Sequence, residues 1–96
     1  MSYIHFEWDD AKNKANISKH KISFEEAQSV FHDPYARIIA DSEHSNEEER
    51  FILLGLSSSL NLLIVCHCYK LSDEIIRIIS ARKATKTEAA NYGGTV

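Results

Sequence analysis

The hydropathy pattern predicts a two-layer α/β (α+β) domain in which helices cover an antiparallel sheet of four to five strands. Three observations carry this. Apolar residues recur at near-helical spacing up to residue 34, they alternate or run continuously from 35 to 81, and the links between the later runs are too short for parallel crossovers. In order, residues 3–8 alternate aromatic and polar side chains, which predicts a short strand. Asp9-Asp10 then supplies acidic residues for a helix N-terminus, and the spacing predicts a helix over 9–20. Ser23-Phe24-Glu25-Glu26 reads as a capping box opening a second helix, with Phe24, Ala27, Val30 and Phe31 as its apolar stripe. Asp33-Pro34 ends it, because proline cannot continue a helix and restricts the residue before it. Four strands follow at 35–42, 49–57, 61–69 and 74–81, joined by an acidic 43–48 loop, a Ser-rich 57–61 turn and a 70–73 turn. Thr85-Lys86-Thr87-Glu88 repeats the capping-box pattern and opens a last helix over 85–92, with Gly93-Gly94 beyond. The expected order is β-α-α-β-β-β-β-α, with the first two helices burying their stripes on one sheet face.

Composition sets limits on partners and compartment. The 96 residues are 44% hydrophobic and 26% charged, the profile of a single globular domain over 1–96. A chain of this length buries roughly 60–65% of its unfolded surface, so association with a partner would stabilise it. No apolar run approaches the roughly 18 residues of a membrane helix, and the first residues lack a basic n-region and an apolar h-region. The expectation is a cytoplasmic chain with no membrane contact. Cys66 and Cys68 read as small core hydrophobes. The net charge of −3 is unevenly spread: five acidic residues fall in 41–49, whereas from Arg50 onward six bases face three acids. A basic surface on the second half is therefore permitted.

Five histidines and two cysteines raise the question of a metal, but no pair lies at finger, ribbon or His-Glu-x-x-His spacing, so no metal or other cofactor is expected. The remaining chemistry lies in the bases. Arg77 is flanked by Ile75, Ile76, Ile78 and Ile79, and a guanidinium in such a strand is either ion-paired or presented on a concave face. Strand alternation sets Arg77 and Arg82 on opposite faces unless the strand is interrupted near Ser80. Lys19-His20-Lys21 stands at a helix C-terminus, where a capping cluster is the plain alternative to function. Phe6 and Trp8 are expected in the core.

Phe6-Glu7-Trp8-Asp9, Asn16 with Lys19-His20, Ser23-Phe24-Glu25-Glu26-Ala27 and Val30-Phe31-x-Asp33-Pro34 resemble the opening of the BrnT family. Glu48-Glu49-Arg50, Gly55, Arg77-Ile78-Ile79-Ser80-Ala81-Arg82-Lys83-Ala84-Thr85-Lys86-x-Glu88 and Tyr92 extend the resemblance over nearly the whole chain. It implies a RelE-like fold and a metal-independent ribonuclease toxin of a type II toxin–antitoxin pair. It also implies a ribbon-helix-helix antitoxin of the BrnA type, with operator DNA bound only through that antitoxin, and either a homodimer or a heterotetramer with it. Two departures stand out: Lys21 where the family commonly has glycine, and Ala89-Ala90-Asn91 where it commonly has further bases.

Metal-free RNA cleavage proceeds by attack of the ribose 2′-hydroxyl on the adjacent phosphorus, and needs a base, an acid and cations. Arg50, Arg77 and Arg82 are the expected phosphate ligands, since guanidinium groups bind phosphate oxygens bidentately. Glu26 or Lys19 is the expected base, and His20 the expected acid, an imidazole being able to donate near neutrality. Lys83, Lys86 and Tyr92 are expected to bind RNA. A rival reading is a non-catalytic module that binds an antitoxin and assists repression. Direct DNA binding is disfavoured, because no helix carries a basic recognition face.

Overall fold

A computed structural model describes residues 4–42, 49–70 and 74–93. The elements are β1 (His5–Glu7), α1 (Asp10–His20), α2 (Phe24–Ser29), a 3₁₀ turn (Val30–His32), β2 (Arg37–Ser42), β3 (Arg50–Leu56), β4 (Leu62–Lys70), β5 (Ile75–Lys83) and α3 (Lys86–Ala89). This is the expected order. The strands form one sheet, β1-β5-β4-β3-β2, in which β2 to β5 pair antiparallel in sequence order. β1 adds a fifth strand parallel to β5, with Glu7 beside Arg77. The connections at 43–48 and 71–73 lie outside the described residues.

Local chemistry accounts for the helix ends. The Asp9 carboxylate accepts from Lys12 N–H at the start of α1, and Ser23 Oγ accepts from Glu26 N–H at the start of α2. The second box is only half closed, because the Glu26 side chain turns away from the Ser23 backbone to the β3–β4 turn. The Thr85–Glu88 box is complete. Helix α1 ends on Lys21 at φ 64°, a left-handed cap whose N–H donates to the Ile17 carbonyl. Glycine adopts that conformation at lower cost than a lysine does.

The core lies between the sheet and α1–α2. Ile22, Phe24, Ala27, Val30, Leu53, Leu63, Val65, Ile78 and Ala81 are buried there, with Phe6, Trp8, Phe31 and Ala36 packed against them. His67 belongs to this face and is fully buried among Phe31, Phe51 and Tyr69. Burial holds its imidazole below the ordinary value, against the Val65 carbonyl that its Nδ1–H contacts. Gly55 lies where β3 passes under the 3₁₀ turn: a Cβ there would meet Ala36 Cβ and Val30 Cγ1, each at 2.7 Å.

Two contacts fix the outer elements. β1 covers β5 only from Ile75 to Arg77, and beyond it the buried Asn16 side chain takes over the edge. Asn16 Nδ2–H donates to the Ala81 and Ile22 carbonyls, both at 2.8 Å, and Oδ1 accepts from Ala81 N–H. One side-chain amide thereby imitates a strand and ties α1 to β5. At the other end, α3 is tied down by Glu88, which accepts from Arg82 through both carboxylate oxygens at 2.8 Å. Tyr92 O–H donates to Asp33, and Arg37 donates to the Asn91 carbonyl. The C-terminal segment therefore reaches from β5 across to β2.

Four outcomes follow for stability. Asn16→Leu strands the Ala81 N–H and two carbonyls and should cost about 2–3 kcal/mol in chemical denaturation. Gly55→Ala should cost about 1–3 kcal/mol by overpacking against Ala36 and Val30. Lys21→Gly relieves the left-handed cap and should add about 0.5–1 kcal/mol, visible as a higher Tm. Hydrogen bonds from Arg82 hold the Glu88 carboxyl down at about 2, from an ordinary 4.5. A carboxylate lowered on folding stabilises fully above its unfolded value, so the wild-type advantage over Glu88→Gln should be constant above pH 4.5 and shrink towards pH 2. An advantage that grew on acidification would show that Glu88 is not held by Arg82.

Candidate active site

The face of the sheet opposite α1 and α2 carries the arginines. In β3 the core takes Phe51, Leu53 and Gly55, so Arg50, Ile52 and Leu54 point to the second face. In β4 the same alternation sends Ile64, Cys66 and Cys68 there. β5 would break the pattern, since Arg77 and Arg82 differ in parity. It does not, because Cys66 pairs with Ser80 while His67 pairs with Ile78, leaving Ile79 as an extra, unpaired residue. That one-residue bulge resets the alternation. Arg77 (opposite Cys68), Ser80 (opposite Cys66) and Arg82 (opposite Ile64) all share the second face.

Arg77 and Arg50 flank the buried Cys68 at the end of the face where β5 begins, two strand spacings or about 10 Å apart at the backbone. Arg82 lies four residues of β4 further along, about 13 Å away. There Leu54 and Ile64 are buried although they do not belong to the helix-side core, because the Arg82–Glu88 and Arg37–Asn91 contacts draw the C-terminal segment over them. Between the ends lie exposed Ser80 and half-buried Cys66. Burial pushes the Cys66 thiol above its ordinary value, and the nearby Arg50 charge opposes it.

The three arginines have different partners. Arg77 donates to Glu7 Oε2 at 2.9 Å, in a pair whose side chains are 36% and 39% exposed. The buried ion pair conceivable from sequence is thus a half-exposed one, worth about 0–1 kcal/mol. Arg82 is held bidentately by Glu88, and that bond keeps its guanidinium protonation above the ordinary range. Arg50 Nε is buried with no hydrogen-bond partner among the described residues.

The other expected residues are dispersed. The Glu26 carboxylate accepts from Ser57 Oγ at 2.6 Å and Asn61 Nδ2 at 2.8 Å, at the β3–β4 turn. This is the end of the sheet remote from Arg50 and Arg77, six residues or about 20 Å along the strands. Lys19 is exposed and His20 half-buried at the end of α1, and no hydrogen bond or ion pair among the described residues joins either to the arginines. Lys83 and Lys86 are exposed at the end of β5 and the start of α3. Tyr92 is a structural latch: burial, reinforced by its bond to Asp33, pushes its phenol to about 12. Burial by itself would raise Asp33, but N–H donors from Leu56 and Tyr35 and the Tyr92 hydroxyl hold it below the ordinary value.

Sequence reasoning missed Glu7 and Ser80 as members of this face. The parallel register of β1 sets Glu7 beside Arg77, and no local pattern forecasts that pairing. The Ile79 bulge left a trace, since Arg77 and Arg82 can share a face only through such an interruption. Among the described residues no cluster of three or more His, Cys, Asp or Glu side chains could hold a metal, and no helix is long and apolar enough to cross a membrane.

The family model for the ribonuclease toxin BrnT of type II toxin–antitoxin systems matches residues 8–88. No curated protein sequence matches significantly. Among solved structures, the 1.1 Å crystal structure of the Brucella abortus ribonuclease toxin BrnT is similar at a TM-score of 0.60 and 22% identity, covering 90% of this chain and 100% of that one. At that identity it bears on the fold, and it agrees with the two-layer α+β architecture described above. The family match spans α1, α2, strands β2 to β5 and the Arg82–Glu88 tie, and the chain belongs to the BrnT family of ribonuclease toxins of type II toxin–antitoxin systems.

Proposed function

We propose that this chain is a metal-independent endoribonuclease whose active site is the arginine face. The observation that carries the reading is the convergence of Arg50, Arg77 and Arg82 on one face through the Ile79 bulge. Membership of a type II family makes the chain a toxin with an antitoxin partner. A ribbon-helix-helix antitoxin of the BrnA type, which alone would contact operator DNA, is the partner this reading expects, in a heterotetramer. The site is cytoplasmic in this account.

In the proposed reaction the ribose 2′-hydroxyl attacks the adjacent phosphorus, the P–O5′ bond breaks, and a 2′,3′-cyclic phosphate and a 5′-hydroxyl are released. Arg50 and Arg77 bind the phosphoryl oxygens at the end of the face where β5 begins, the two residues lying two strand spacings apart at the backbone. Arg82, fixed by Glu88, holds a neighbouring phosphate. Glu7 takes the 2′-proton in this scheme in place of Glu26, because its carboxylate shares a face with Arg77 whereas Glu26 is engaged by Ser57 and Asn61. The leaving 5′-oxygen takes its proton from water, because His20 stands on α1 beyond the Asn16–Ala81 tie, at the Arg82 end and on the helix side of the sheet. Lys83 and Lys86 contact the backbone.

Purified chain and total RNA test this directly. Chelator should leave cleavage unchanged, and the products should end in 2′,3′-cyclic phosphate. Arg77→Ala and Arg82→Ala should each lower the rate by about 10²–10³, the effect of one lost charge-stabilising donor of about 2.7–4 kcal/mol. Arg77→Ala should shift the melting free energy by less than about 1 kcal/mol, as for any half-exposed pair. Wild-type chain that binds antitoxin but cuts no RNA would establish the non-catalytic module instead.

A further inference from the structure

Between Asp10 and Glu25 the chain holds four lysines and a histidine and no acidic residue, in a protein whose net charge is −3. Lys12, Lys14, Lys19 and Lys21 are all exposed, and none has a carboxylate partner among the described residues. Only Lys21 is engaged, through Nζ to the Ser18 carbonyl.

The contacts of α1 orient these lysines. Successive residues turn by about 100° about a helix axis. Measured from Asn16, which grips the β5 edge, Asn13 lies about 60° to one side, and it accepts from Phe24 N–H of α2. Lys12 and Lys19 lie about 40° and 60° to the other side, on the flank turned away from α2. Lys14 lies about 160° from Asn16 and points to open solvent. Lys83, two residues beyond the Ala81 that Asn16 grips, is exposed at the end of the same edge. Because β1 stops at the level of Arg77, no strand among the described residues separates this edge from the arginine face.

We propose that Lys12 and Lys19, with Lys83, form a basic rim that binds the sugar-phosphate backbone of the RNA strand where it leaves the arginine face over the edge of β5. The inference rests on the ribonuclease reading and adds a course for the strand outside the reacting phosphate. Charge complementarity carries it: α1 carries three of the five Lys and Arg residues of 1–48, and two of them, Lys12 and Lys19, lie on the flank turned away from α2. Single-strand binding of this kind is electrostatic and tolerant of sequence.

The test is fluorescence anisotropy of the full chain with a short 2′-O-methyl oligoribonucleotide, which cannot be cleaved, over a series of salt concentrations. Each phosphate contact contributes about 0.7 to the slope of log K against log salt for a single strand, so Lys12→Gln/Lys19→Gln should lower the slope by about 1.4. Lys12→Arg/Lys19→Arg should retain it, and Lys14→Gln on the solvent flank should leave it unchanged. Equal losses for Lys14→Gln and for either rim lysine would reduce the effect to diffuse net charge and overturn the rim. So would an unchanged slope in the double variant, or a loss of antitoxin affinity with RNA binding intact. In those cases cleavage by the wild-type chain would leave the ribonuclease reading standing. Wild-type chain that neither binds nor cuts RNA removes both.

Discussion

The geometry of the arginine face depends on one unpaired residue. Antiparallel pairing sends alternate side chains to opposite faces, and β5 must send Ile76, Ile78 and Ala81 into the core while presenting Arg77 and Arg82 together on the other side. A regular strand cannot do both. Ile79 absorbs the mismatch as a bulge, and every later residue changes face. Without it, keeping Arg77 out would turn Ala81 outward and Arg82 into the core, and keeping Ala81 in would bring Arg77 in, where a guanidinium has no counter-charge among Val65, Leu63 and Phe24.

Around that strand the chain substitutes side chains for missing backbone. β1 pairs with only the first three residues of β5, and the Asn16 amide satisfies the next exposed edge group as a strand would. The same bond holds α1 against the edge of β5. Glu88 similarly serves two elements, closing the cap of α3 and clamping Arg82. Stability and the electrostatics of the site therefore share residues. A free toxin whose Arg77 and Arg82 are already held by carboxylates has guanidinium groups fixed in direction before any phosphate arrives, which lowers the ordering cost of binding.

Element order, helix starts and the antiparallel meander were legible because each is written in neighbouring residues. Ser23 and Thr85 cap helices through bonds three residues away, and Pro34 stops one within two residues. What was illegible depends on contacts distant in sequence. Glu7 meets Arg77 across 70 positions and Asn16 meets Ala81 across 65. Glu26 was readable as an N3 cap residue, yet Ser57 and Asn61 outcompete the local partner and hold it at the far end of the sheet. Arg77 and Arg82 were identifiable as candidates, and their opposite parity pointed to an interruption near Ser80. The position and direction of the bulge required the pairing of β4.

The central claim is that Arg50, Arg77 and Arg82 act on one bound RNA strand. Side-chain guanidinium resonances, followed by NMR during titration with a non-cleavable 2′-O-methyl oligoribonucleotide, measure this most directly. The account predicts that the guanidinium signals of the three arginines shift together along a single binding curve. Shifts confined to one arginine, or Arg82 responding at a different ligand concentration from Arg50 and Arg77, would contradict it.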